Sequence, residues 1–308
     1  MNLLLTHTDP DGVTPIILLN LIGEEFEYKK LEPTTISVFV LEMLETDYFD
    51  KYKNIFIVDL GVNKECAEKI NSSKYSDVFK IIDHHESNKF LNEYKFAHVV
   101  DEVNGFKECG TSLFYNYLVD TYKNPVLSKR SVITFVELVR EKDTWQFTEL
   151  EADAHNLSSL FSFYGADEYV NVYTKFLKEN DEFYFNKYEL IALKSLNRER
   201  EEYLEDKKDK VIFRKINGYN VGIVFAERHR STLGNYLARL YKEEADVICI
   251  INMNEHISLR GIKESKPVNK FAEFYGGGGH ALSAGMSYSP ELKNKIIDYI
   301  FGDNIENN

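Results

Sequence analysis

Three stretches of this 308-residue chain place acidic and imidazole side chains directly after short apolar runs. Residues 3–6 run into His7-Thr8-Asp9-Pro10-Asp11-Gly12, residues 54–58 into Asp59, and residues 78–82 into Asp83-His84-His85. Singly, most of these have ordinary explanations. Asp9 and Asp11 suit a turn before a helix, and Asp59, two residues before Gly61, suits a strand-to-turn step. Adjacent histidines after a β-branched run have little packing use, and the combination argues for chemistry. Carboxylates gathered in one place repel one another unless cations neutralise them. Imidazole mixed with carboxylate suits Mn, Fe, Co or Zn better than Ca. A ligand set of this size points to two divalent ions roughly 3.5–4 Å apart, sharing a bridging carboxylate and a bridging hydroxide. The hydroxide would attack phosphorus while both ions stabilise an in-line displacement.

Such a cluster needs elements that bring distant segments together. The apolar runs at 3–6, 26–31, 54–58 and 78–82 alternate with helical patterns at 13–22, 34–44 and 64–70, with Asp11 a plausible N-cap of the first helix. Alternating strands and helices predict βαβ units and a parallel sheet, and open parallel sheets bind ligands beyond the carboxyl ends of their strands. Residues 97–100 add a further strand, and from Thr111 to about Lys178 the pattern is helical. Residues 188–210, rich in Glu, Lys, Arg and Leu without Gly or Pro, read as a long connecting helix. Strands then return at 211–216 and 219–225 around Asn217-Gly218, a hairpin turn. Helices at 232–240 and 268–275 and strands at 247–251 and 256–259 follow, and the tail after Gly302 is expected to fray. The expected fold is α/β in two parts: 1–187 with the parallel sheet, a helical linker at 188–210, and a smaller α/β part at 211–308.

Composition bounds the partners. With 44% hydrophobic and 28% charged residues the chain is that of a folded protein. Its net charge of −13 argues against a clamp on duplex DNA. Residues 211–308 carry 12 basic and 11 acidic side chains, so the negative charge sits on the first 210 residues. The later part therefore resists an anionic ligand least, and the earlier part needs cations to accept one. Three scattered cysteines form neither a disulfide framework nor a zinc knuckle. The first residues do not read as a signal peptide, and no stretch approaches 18 consecutive apolar residues. A cytoplasmic protein without membrane contact is expected.

At these residues the sequence resembles the DHH phosphoesterase superfamily. Asp83-His84-His85 stands at the motif that names it, His7-x-Asp9-x-Asp11-Gly12 at its first motif, and Asp59 at its second. Asp143, in Arg140-Glu141-Lys142-Asp143-Thr144-Trp145, is the best match to the fourth, with Asp101 and Asp153 as neighbouring competitors. The later part resembles the companion DHHA1 domain: Ser258-Leu259-Arg260-Gly261, then Gly276-Gly277-Gly278-Gly279-His280-Ala281. The single residue between His7 and Asp9, and Asp143-Thr144-Trp145, are similar to the NrnB-type nanoRNase (oligoribonuclease) branch.

The resemblance implies that His7 and Asp9 hold one metal ion, that Asp11, His84 and Asp143 hold the other, and that Asp59 bridges. It implies that Asp83 orients the neighbouring histidine and that His85 contacts the phosphate or leaving oxygen. Arg260, Gly276, Gly277, Gly278, Gly279 and His280 would contact substrate across a cleft between the two parts. The cofactors would be two divalent cations, Mn2+ preferred, with Mg2+ or Co2+ as alternatives. The implied activity is exonucleolytic hydrolysis of short single-stranded oligonucleotides or dinucleotides to nucleoside monophosphates. Related members instead act on cyclic dinucleotides or remove the 3′-phosphate of 3′-phosphoadenosine 5′-phosphate. Other readings are a non-catalytic binder, an Asp143 paired with Arg140 or Lys142, and a glycine run that is a flexible linker. Arg228, His229 and Arg230 read as a solvated turn or as a further substrate contact.

Overall fold

The strands β1 (Asn2–Thr6), β2 (Phe26–Lys30), β3 (Asn54–Val58), β4 (Phe79–Asp83) and β5 (Ala97–Val99) form one parallel sheet in the order β2-β1-β3-β4-β5. Parallel neighbours need crossovers, and the helices α1 (Pro10–Ile22), α2 (Ile36–Leu44) and α3 (Lys64–Ser72) lie in the connections. Side chains alternate between the faces. Leu4, Phe56, Val58 and Ile82 enter a core shared with α1, while Leu3, Leu5, Ile55, Ile57 and Ile81 enter a second core with α2 and α3. Burial on both faces is why β1 and β3 read as unbroken apolar runs rather than as alternating ones. The edge strand β2 is only half-buried and carries Lys29 and Lys30, charges of the kind that discourage pairing with another chain.

These elements come from a computed structural model that describes residues 1–146 and 152–302. The chain divides into two units, Met1–Lys194 and Ser195–Asn308. The first unit continues with a small hairpin, β6 (Glu102–Val103) and β7 (Phe106–Lys107), and the helices α4 (Gly110–Tyr122), α5 (Arg130–Asp143), α6 (Asp153–Tyr164) and α7 (Ala166–Glu179). Val132, Phe135, Leu157, Tyr169 and Tyr173 extend the α1 core through α5, α6 and α7. The 22-residue helix α8 (Lys187–Lys208) crosses the boundary between the units. Near its start, buried Glu189 accepts from the hydroxyls of Tyr164 and Tyr173 at 3.1 Å each.

The second unit holds β8 (Ile212–Ile216), β9 (Tyr219–Phe225), β10 (Val247–Ile251), β11 (His256–Gly261), β12 (Gly278–Gly279) and β13 (Ser283–Ser287) in the order β12-β13-β11-β10-β9-β8. Only β9 and β10 pair in parallel. Its helices are α9 (Arg230–Leu240), α10 (Val268–Glu273) and α11 (Glu291–Phe301). Asn217 and Gly218, at φ 49° and 82°, turn β8 into β9, the pair of left-handed residues that suits a two-residue hairpin.

The α/β class and the N-terminal parallel sheet are as expected from the sequence. The first helix differs. It begins at Pro10 with Asp9 as its N-cap, not Asp11, because proline's fixed φ suits the first helical position and the Asp9 carboxylate accepts the Gly12 N–H at 3.0 Å. β13, the β6–β7 hairpin and α11 are additions to the sequence reading; the strands are short, whereas α11 is an amphipathic segment that the sequence reading passes over. The tail after Gly302, expected to fray, lies outside the described residues. Among the described residues no helix is long and apolar enough to cross a membrane.

Candidate metal centre

In the order β2-β1-β3-β4-β5 the connections from β1 and β3 diverge to opposite sides, opening a crevice at the carboxyl ends of those two strands. His7 follows β1, Asp59 follows β3, and Asp83-His84-His85 ends β4. The sheet register therefore brings three sequence motifs to one edge.

His7 Nδ1 lies 3.2 Å from Asp9 Oδ2 and 3.7 Å from Asp59 Oδ2. These three residues offer ligand atoms that all fall within 4.8 Å of one another. Asp11, His84 and Asp143 form a second such group. His84 Nε2 is 3.5 Å from Asp143 Oδ2 and 3.8 Å from Asp11 Oδ2. Asp59 stands between the groups, with its other oxygen, Oδ1, 3.2 Å from His84 Nε2. Asp143 arrives from the last residue of α5, 132 positions after Asp11. Its competitors stand elsewhere: Asp101 pairs with Lys89 at 2.8 Å, and Asp153 opens α6. Arg140, the alternative partner of Asp143, is engaged by Glu137, with Nε–Oε2 at 2.9 Å.

Each carboxylate is aimed by its surroundings. Asp11 is buried, and its two oxygens accept the N–H groups of Gly110 and Thr111 at 2.7 Å each. These are first-turn donors of α4, left unpaired by the helix itself and favourable to negative charge. A Cβ on Gly110 would sit 2.6 Å from Asp59 Cβ, so only glycine lets α4 start this close to Asp59. Asp83, fully buried, accepts the His84 N–H at 2.8 Å, His85 Nδ1 at 2.8 Å and Asn88 Nδ2 at 2.6 Å. It therefore fixes the ring of His85 rather than that of His84. Gly61 leaves room for this arrangement, since a Cβ there would meet the Asn88 amide at 2.4 Å.

The electrostatics express crowding. Burial first, and then the neighbouring carboxylates of Asp11, Asp9 and Asp143, push Asp59 well above the ordinary carboxylate range. Burial and the charges of Asp11 and Asp9 push Asp143 up likewise. Burial lowers His84. Burial also opposes protonation of His85, but the hydrogen bond and charge of Asp83 outweigh it and lift its pKa to about 9. The Asp9 hydrogen bond raises His7. A donor set of two imidazoles and four carboxylates, two of them unable to ionise comfortably without nearby positive charge, fits divalent cations.

Several participants escape sequence reading. Glu32, from the loop after β2, brings Oε2 to 3.4 Å from His7 Nε2. Asn88 lies in the turn after the paired histidines, and Gly110 is an ordinary helix start in sequence. The remaining expected site residues stand in the second unit. Arg260 donates to Ser231 Oγ and Leu259 O at 2.9 Å each. Burial and the charge of Arg230 lower its pKa. Gly276 and Gly277 donate their N–H groups to Glu273 O and Ala272 O, and Gly278 and Gly279 pair with Gly285 and Ala284. His280 follows at an exposed position. Arg228 and His229 both reach Glu199, at 2.5 and 3.0 Å.

A family model, the DHH family N-terminal domain, matches residues 3–138. The oligoribonuclease NrnB of Bacillus subtilis (strain 168) is 33% identical over 305 residues, covering 97% of this chain and 75% of the relative. Two solved structures share the fold. The pGpG-specific phosphodiesterase PggH from Vibrio cholerae is 13% identical with a TM-score of 0.56, covering 97% of each chain. RecJ from Thermus thermophilus, in complex with Mn2+, is 14% identical with a TM-score of 0.55, covering 97% of this chain and 51% of that one.

Proposed function

Because this chain belongs to the DHH family of phosphoesterases, we propose that it is a divalent-metal-dependent phosphodiesterase that shortens short single-stranded oligonucleotides from an end, releasing nucleoside monophosphates. The observation that carries this reading is the pair of ligand groups joined through Asp59. His7 and Asp9 would hold one cation and Asp11, His84 and Asp143 the other, with Asp59 shared between them. Bound there, the cations, Mn2+ first and Mg2+ or Co2+ as alternatives, supply the positive charge that stabilises a phosphoryl group during displacement.

The chain's own residues do the rest. The first turn of α4 holds Asp11 so that neither of its oxygens swings away from the centre. Asp83 occupies Nδ1 of His85, leaving Nε2 to donate to a phosphate or leaving oxygen. Asn88 holds the second Asp83 oxygen, so the Asp–His pair keeps one orientation. In the second unit Arg260, the glycine run and His280 contact the substrate. Arg260 and the neighbouring Arg230 give that unit positive charge to receive phosphate. The Bacillus subtilis relative, an oligoribonuclease, supports an oligonucleotide substrate.

The test is a Mn2+-supplemented hydrolysis panel on the wild type and an Asp83→Ala/His84→Ala variant. The panel holds a 5′-phosphorylated dinucleotide, a five-mer, a long single strand, a cyclic dinucleotide and 3′-phosphoadenosine 5′-phosphate. Rapid turnover of the short linear substrates, lost in the variant, is expected. Turnover of only the cyclic or bisphosphate compound would keep the metal centre and replace the substrate.

A further inference from the structure

Asp143 stands where a carboxylate is poorly placed. It is the last residue of α5, and the C-terminal end of a helix carries unpaired carbonyl groups and the negative end of the helix dipole. An anion there is disfavoured by its own helix, and helix ends fray. Yet Asp143 offers an oxygen to the same ligand group as Asp11 and His84, with Oδ2 at 3.5 Å from His84 Nε2. The end of α5 must therefore be held from outside the helix ladder.

Arg140, one turn earlier and buried, supplies the hold. The sequence offers it as an ion-pair partner of Asp143, but its guanidinium turns elsewhere. Nε and Nη2 both donate to the Glu137 carboxylate, Nε to Oε2 at 2.9 Å. Nη1 donates to the Lys107 carbonyl at 2.7 Å and to Gln146 Oε1 at 2.5 Å. The Arg140 carbonyl accepts the Thr144 N–H at 2.9 Å and the Thr144 hydroxyl at 2.7 Å. One residue thus ties together the last turns of α5, both residues that flank Trp145, and the β6–β7 hairpin. The ring centroid of Phe106 in that hairpin lies 6.0 Å from the guanidinium carbon. Trp145 itself takes a φ of 55°, a left-handed conformation that a bulky residue keeps only where its surroundings impose it.

A buried guanidinium is unfavourable unless its donors are satisfied. Here two nitrogens face one carboxylate as a fork and the third bridges two oxygens, an arrangement that a lysine ammonium cannot reproduce. Its charge in the last turn also opposes the negative end of the helix.

We propose that Arg140 is a positioning residue for the metal centre, holding the end of α5 so that the Asp143 carboxylate stands with Asp11 and His84 before a cation arrives. The inference rests on the two-cation reading of the proposed function and adds to it the residue that keeps the second ligand group assembled.

The experiment uses the full chain and reads Mn2+ binding by calorimetry. The wild type should take two ions. In Arg140→Met one of them should weaken by about 10- to 100-fold while the other is unchanged. Arg140→Lys keeps the charge without the fork and should not restore the affinity. Added to Asp143→Asn, Arg140→Met should change Mn2+ binding by less than about twofold, because two residues that act as a unit are not additive. A role confined to stability would instead weaken both ions alike and would add in the double variant.

Trp145 is the only tryptophan of the chain, so its fluorescence reports on the end of α5 without metal. In EDTA its limiting anisotropy should fall in Arg140→Met. Should that variant not fold, Glu137→Gln/Gln146→Ala decides. Both positions are exposed, the buried arginine stays, and the same two shifts are expected at smaller size. Unchanged affinity for both ions in the folded variants, or additivity with Asp143→Asn, would overturn the proposal. Failure of the two-cation reading looks different: the wild type itself would take fewer than two Mn2+. The anisotropy in EDTA would then decide alone, an unchanged value overturning the role of Arg140 and a lowered one upholding it.

Discussion

Asp59 is the residue on which the two ligand groups meet, and it is held in an unfavourable place on two counts. Its backbone lies at φ 60°, in the left-handed region, and its carboxylate is buried among other carboxylates. Asn tolerates the same backbone conformation, so Asp59→Asn isolates the charge. Loss of the bridging carboxylate should cut Mn2+-dependent cleavage by at least about 10³-fold, since several kcal/mol of charge stabilisation are at stake. In EDTA the sign reverses. A carboxylate whose folded pKa lies above its unfolded value destabilises the fold at pH 7, so the metal-free variant should melt higher than the wild type. That gap should close as the pH falls toward the ordinary carboxylate range. Thermal melts with EDTA and with Mn2+ check both signs. At this scale His7, Asp9, Asp11, Asp59 and His84 stand out as candidate ligands from residue type and from position after an apolar run, whereas Asp143, which follows Arg140-Glu141-Lys142, is reached only through the family resemblance. Glu32 and Asn88 are reached by neither route. Glu32 meets His7 only because β2 lies beside β1 in the sheet, and nothing in its own neighbours marks that meeting.

Elements act here through their ends. The start of α4 clamps Asp11 from 99 positions away, and Gly110 allows the approach. Helix propensity alone expects Gly110→Ala to stabilise. The contact of its Cβ with Asp59 predicts the opposite at the site: weaker Mn2+ binding by about 10- to 100-fold, measured by calorimetry, because a partner that positions a ligand has moved. Strands and helices were legible where apolar residues run together, as in β1, β3 and α1, which are buried on nearly every side. The cap of α1 was misassigned because two aspartates flank one proline, and only the Gly12 hydrogen bond distinguishes them. In the second unit Asp246, just before β10, accepts from Lys263, Lys266 and the Asn220 N–H at 3.2, 2.6 and 2.9 Å. Burial opposes its ionisation, but these partners outweigh burial and lower its pKa to about 2. Its contribution is therefore complete above about pH 4 and lost as the pH falls toward 2. Asp246→Asn should cost about 1–2 kcal/mol at pH 7 after screening of the half-exposed lysines. The cost should shrink over that acid window in pH-dependent denaturant melts.

Across the whole molecule, the net charge of −13 sets how nucleic acid is approached. A protein that grips a long backbone with six or more cationic contacts shows a salt slope of about −4 or steeper on single strands, whereas one that engages one or two phosphates shows about −1. The shallow slope is expected both for kcat/KM on a dinucleotide and for competition by a long single strand between about 50 and 200 mM salt. A steep slope on the dinucleotide would contradict the reading. The pairing of β1 with β3 spans 52 positions, and the Thr111 N–H reaches back 100 positions to Asp11. Such long-range contacts make folding slow relative to helical proteins of similar size. They also set an order of events during synthesis. At about 5–20 residues per second, several seconds to half a minute pass between the emergence of His7 and that of Asp143. Both partners of β1 have emerged by Val58, but α4 and α5, which help to cover one face of the sheet, have not, and that apolar face is open to association. A translation product that stops short of Asp143 carries five of the six ligands and an unfinished core. Its fate is set by chaperones and proteases before any phosphoester chemistry begins.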